Sequence, residues 1–142
     1  VVDNGTVHDL QKYKGKFLYV FFVKPCTPEI TKQLDLLVPI FHKYSKNIQF
    51  LMVIRDDGTT KPDELKTMKA AYPWESVVVG SNHSILTNYQ IVTYPTYILI
   101  DPIAYVVAAP ALGPLPNGQY ETIDQTFFKI NKAIEEGAND GR

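Results

Sequence analysis

Two hydrophobic periods alternate along this chain. Phe17-Leu18-Tyr19-Val20-Phe21-Phe22-Val23 is a continuous β-branched and aromatic run, the pattern of a strand buried on both faces. From Ile30 the apolar positions Leu34, Leu37, Val38 and Phe41 recur at helical steps. Thr27 followed by Pro28 reads as the N-cap and first residue of that helix, and Pro39 is expected to kink or bend its later turns. Ile48–Ile54 predicts a second buried strand, ended by the turn residues Asp56-Asp57-Gly58. Lys61–Ala71 reads as a polar helix opened by Pro62, with Leu65, Met68 and Ala71 on one face. Val77–Val79 predicts a short strand, and Ser81–Tyr89 a short helix capped by Ser81 or Asn82. Thr96–Ile100 and Tyr105–Ala109 predict two further strands, and 110–118, rich in Pro and Gly, a loop. Ile123–Glu135 closes the chain as an amphipathic helix with Phe127, Ile130 and Ile134 facing inward. Strands alternating with helices, then a strand pair before the last helix, predict one α/β domain over residues 1–142 with a mixed central sheet.

Composition narrows the function classes. With 45% hydrophobic and 12% aromatic residues in 142, the chain can bury a core, which excludes global disorder. Fourteen Lys and Arg against fifteen Asp and Glu leave a net charge of −1, which gives no electrostatic footprint for nucleic acid. The longest strictly apolar run, Phe17–Val23, is far short of the roughly 18 residues that span a bilayer. A single cysteine excludes an internal disulfide and Cys-rich zinc sites. The opening Val1-Val2-Asp3, without Met, reads as a mature, excised or C-terminal part of a longer protein, and the compartment is not readable from it.

That cysteine is the main candidate for chemistry. Cys26 follows the first buried strand and directly precedes a helix start, where the positive helix end favours thiolate. The alternative is a small buried hydrophobe.

Gly15-Lys16, the run Phe17–Val23 and then Lys24-Pro25-Cys26 resemble the lead-in to the active site of thioredoxin-fold proteins, in particular the TlpA-like thiol–disulfide oxidoreductases. In that family a hydrophobic strand leads to W-C-x-x-C at a helix start. Tyr89-Gln90-Ile91-Val92-Thr93-Tyr94-Pro95-Thr96 through Asp101 is similar to the family's Y-x-V-x-x-x-P-T-x-x-L-I-D segment, whose proline is cis. The resemblance implies a thioredoxin-like three-layer sandwich, a mixed sheet flanked by helices. It implies Cys26 as nucleophile, and Tyr94, cis Pro95 and Thr96 as the substrate-binding loop. It further implies protein or peptide thiols and disulfides as partners, with an external small thiol, no cofactor and no metal, and a periplasmic or otherwise exported location.

The sequence departs from the family pattern at three places. Glu29 stands at the resolving-cysteine position, Pro25 replaces the usual Trp, and Asp101-Pro102-Ile103-Ala104 lacks the Gly usual in the family's D-x-x-G turn. A dithiol cycle needs a second thiolate to expel the substrate from a mixed disulfide, and Glu29 is not one. Glu29 reads either as a helix-opening acid or as a carboxylate that tunes the sulfur and relays a proton. The expected activity is therefore monothiol redox chemistry at most, with a catalytically degenerate peptide- or protein-binding module as the alternative. A third reading, peroxide reduction, rests on the similarity of Cys26-Thr27-Pro28-Glu29-Ile30 to the C-P-T-E-I string of peroxiredoxins. It is weakened by Tyr19 and Val23 standing where that family carries Pro and a hydroxyl residue.

Other chemistry-bearing residues read as structural. His8, His42 and His83 show no ligand spacing, and Asp56-Asp57 before Gly58 reads as turn chemistry rather than an acid–base pair. Tyr94 and Tyr97, flanking Pro95, are expected to form an exposed aromatic surface.

Overall fold

The computed structural model describes residues 13–25, 27–115 and 122–139, apart from the side chains of 138 and 139. In chain order the elements are β1 (Phe17–Val23), α1 (Pro28–Tyr44), β2 (Ile48–Asp56), α2 (Pro62–Ala70), β3 (Glu75–Gly80), α3 (Ser84–Asn88), β4 (Thr96–Ile100), β5 (Val106–Ala108) and α4 (Ile123–Asn139). The strands form one sheet in the order β3-β2-β1-β4-β5. β1 runs parallel to β2, from Phe17 beside Ile48 to Val23 beside Ile54, and β2 runs parallel to β3. β4 lies antiparallel to β1, with Leu18 beside Ile100 and Phe22 beside Thr96, and β5 lies antiparallel to β4.

The alternation of β1 builds the core on both faces of the sheet. Tyr19, Phe21 and Val23 face Ile30, Leu34 and Leu37 of α1, Leu65 of α2, and Ile123 and Phe127 of α4. Leu18, Val20 and Phe22 face the opposite side, with Tyr13, Ile85 and Leu86 of α3, and Ile91. Helices therefore cover both faces, and the three-layer α/β arrangement read from the sequence is present.

The first core is largely aromatic. Phe127 meets the Tyr19 ring edge-on at 4.9 Å, and Tyr97 stacks on Tyr19 at 5.5 Å. Such pairs add about 0.5–1.5 kcal/mol beyond the area they bury. The Tyr19 hydroxyl, fully buried, donates to the Leu112 carbonyl at 2.8 Å, which satisfies a group that would otherwise destabilise the core.

α1 contains Pro39 and runs on to Tyr44. Several details differ from the sequence expectations. α3 starts at Ser84, and its cap is His83, whose Nδ1 accepts from the Ile85 N–H at 3.1 Å, rather than Ser81 or Asn82. Ile134 is exposed, because the inward contacts of α4 end at Ile130. β5 is trimmed to three residues. The Asp101 carboxylate accepts from the N–H groups of Ile103 and Tyr105, so this stretch forms a turn instead of lengthening the strand. Ala104 sits in that turn with φ 75°, a left-handed conformation that favours glycine.

Candidate active site

The site is built where β1 ends and β4 begins. Because Phe22 pairs with Thr96, the chain leaving β1 runs beside the loop entering β4. Cys26 itself lies outside the described residues, and its neighbours Pro25 and Thr27 are described. Thr27 has extended backbone angles and caps α1, its Oγ1 accepting from the Ile30 N–H at 3.3 Å. Pro28 follows at the first helical position, where its missing N–H costs nothing. Glu29 is exposed in the first turn of α1, at the positive end of the helix.

The facing loop is closed by its own side chains. The Tyr94–Pro95 bond is cis, as is Ala109–Pro110 further on. Thr96 Oγ1 donates to the Thr93 carbonyl at 2.6 Å, so this hydroxyl holds the loop shut. Tyr94 is half-buried and packs against both cores. Lys24 Nζ lies 5.6 Å from the centroid of its ring and Arg55 Cζ lies 5.8 Å from it. Burial raises the Tyr94 phenol above its ordinary value, and Arg55 opposes that shift.

Tyr97 does not join Tyr94. It is buried on the far side of β4, with its hydroxyl donating to Gln33 Oε1 at 2.7 Å, so the expected Tyr94–Tyr97 aromatic surface does not form. Successive strand residues point to opposite faces, which sends Tyr97 and Leu99 to one core and Ile98 and Ile100 to the other. Asp56 and Asp57 make turn contacts: Asp56 Oδ1 accepts from the Gly58 N–H, and Asp57 Oδ1 from the Thr59 N–H and hydroxyl. Among the described residues no three His, Cys, Asp or Glu side chains gather as a metal site.

No protein-family model matches the sequence, and no curated protein matches it. Solved structures do. The thioredoxin domain of a thiol–disulfide oxidoreductase from Bacteroides vulgatus superposes with a TM-score of 0.65 at 20% identity, covering 87% of this chain and 82% of that one. StoA from Bacillus subtilis gives 0.62 at 17% identity, covering 80% and 81%. The exposed lipoprotein thioredoxin of Streptococcus pneumoniae gives 0.62 at 22% identity, covering 84% and 89%.

The chain has the thioredoxin fold.

On this thioredoxin frame the sequence reading missed Lys24 and Arg55. Their signal was a cation directly after the buried positions of each of two strands. Only the parallel register, with Val23 beside Ile54, shows that the two cations emerge side by side. They do so at the carboxyl ends of adjacent parallel strands, where open α/β sheets place their ligands.

Proposed function

We propose that this chain carries out thiol–disulfide chemistry in monothiol form, with Cys26 as the nucleophile. One observation carries the reading: Cys26 directly precedes Thr27, the cap of α1, in a chain of thioredoxin fold. The first turn of a helix carries backbone N–H groups without helical partners, and such groups favour the thiolate form of a cysteine at a helix start. The names of the solved relatives, a thiol–disulfide oxidoreductase and a thioredoxin, support the same class.

The reaction runs in two balanced steps. The Cys26 thiolate attacks one sulfur of a partner disulfide, forming a mixed disulfide and releasing the other half as a thiolate, which takes up a proton from water. An external thiolate then attacks the mixed disulfide and returns Cys26 as thiolate, leaving a new disulfide in solution. The second step needs an outside thiol because Glu29 occupies the place at which dithiol relatives carry the resolving cysteine. Tyr94, Pro95 and Thr96 form the loop along which the partner lies. An exported, oxidising location fits this chemistry, and the relative named an exposed lipoprotein thioredoxin supports it.

A binding module that no longer turns over is the second reading. The absence of a second cysteine anywhere in the chain favours it. Mass spectrometry after exposure to glutathione disulfide separates the two. The redox reading expects a glutathione adduct on the wild type that is absent in Cys26→Ser. An unmodified wild-type chain contradicts it.

A further inference from the structure

We propose that the groove beside the Tyr94–Pro95 loop selects an extended peptide carrying an acidic side chain. This deepens the reading above by naming the chemistry of the partner that the site holds.

The groove has a volume of about 740 Å³ and lies between the ends of β1 and β2, the segment after β3, and the loop that leads into β4. Lys24 and Arg55 both line it, and both stand over the one ring of Tyr94. Among the described residues that line it none is acidic, and besides the two cations they are hydroxyl, amide and apolar. The field of Arg55 also reaches Asp57. Its carboxyl is held below the ordinary value first by the Thr59 hydroxyl and backbone, with a smaller contribution from Arg55. Asp57 is exposed in the turn after β2 and does not line the groove.

Two cations that line one groove favour a carboxylate there over a neutral or cationic side chain. Both cations are half-buried, so water screens them less than it would at an open surface. The rest of the groove suits a chain in extended form rather than a free ion. Ser81, Thr87 and Thr93 offer hydroxyls along its length, and Val92 stands 84% exposed on the rim, an apolar contact for a neighbouring side chain. With a net charge of −1 the chain has no overall field to gather polyanions, so recognition by this groove is local.

The test uses the 142-residue chain carrying Cys26→Ser, so that binding is read without any thiol reaction. Three labelled extended peptides, identical except for Glu, Gln or Lys at one central position, are titrated at low salt by fluorescence anisotropy. The Glu peptide should bind about tenfold more tightly than the Gln peptide, and the Lys peptide most weakly. Lys24→Gln and Arg55→Gln should each reduce the preference for Glu by about threefold while circular dichroism stays unchanged. Inorganic phosphate should compete only at concentrations far above those of the peptide. Equal affinity for the Glu and Gln peptides, or a preference that survives both substitutions, overturns the proposal. Displacement by phosphate as effective as by the peptide reduces the groove to a simple anion site and overturns it too. If wild-type Cys26 fails to react with any disulfide, the redox reading falls while this binding result stands on its own.

Discussion

The ammonium of Lys24 and the ring of Tyr94 face each other across the seam between β1 and β4, 5.6 Å apart. The pairing of Phe22 with Thr96 brings them together, and Arg55 arrives from β2 because Val23 lies beside Ile54. Three strands thus converge on one loop, at the same end of the sheet from which α1 begins.

Ala104 is the clearest point of local strain. It sits at φ 75° in the turn where the Ala104 N–H donates to the Asp101 carbonyl at 2.9 Å. A non-glycine residue there costs about 1–2 kcal/mol, part of which glycine returns as greater freedom of the unfolded chain. Ala104→Gly should therefore stabilise the fold by about 0.5–1 kcal/mol. Urea denaturation reads this directly; an unchanged or lower midpoint contradicts it.

Gly113 is required for the opposite reason. A Cβ there would lie 2.6 Å from Tyr97 Cε2, and that ring is fixed by its stacking on Tyr19 and its bond to Gln33. Gly113→Ala should cost about 1–3 kcal/mol, lowering the thermal midpoint by several degrees. A midpoint equal to wild type would show that the Tyr97 ring yields freely.

Alkaline pH should unfold the chain through its buried phenols. Burial raises Tyr97 well above the ordinary tyrosine value, and burial and then Tyr97 raise Tyr19. Unfolded, both titrate near about 10. The native state keeps protons that the unfolded state releases, so this contribution to stability is complete below pH of about 10 and is lost as pH rises through the folded values. Phenolate absorbance should show a late group of tyrosines that ionise only as the circular dichroism collapses. A single early step with the fold intact contradicts this.

Glu29→Cys tests the proposal that Glu29 stands at the resolving-cysteine position. Glu29 is exposed in the first turn of α1, so Glu29→Cys changes no core contact. The wild type should reduce insulin disulfides poorly without an added small thiol, and the variant at least about tenfold faster. Equal slow rates in both would contradict the placing of Glu29 at the resolving position.

The framework was legible because its signals are local. The runs that form β1 and β4 contain no polar interruption, and Thr27-Pro28 marks the start of α1 without ambiguity. What was missed depends on pairing or on side chains acting as backbone substitutes. The Asp101 carboxylate shortens β5, and His83 replaces the expected cap of α3. The inward turn of Tyr97 was readable from strand alternation, but its nearness to Pro95 in sequence suggested a surface instead. Lys24 and Arg55, far apart in sequence, become neighbours only through the parallel register of β1 and β2.

The central claim is that Cys26 is a reactive thiol at the start of α1. The most direct measurement is its rate of reaction with dithiodipyridine, a neutral disulfide, as a function of pH, in wild type and in Glu29→Gln. The account predicts a thiol pKa below the free value of about 8.5, lower still in Glu29→Gln, where one negative charge is removed at nearly constant volume. A wild-type thiol that titrates at or above about 8.5, and is unmoved by the substitution, would contradict it.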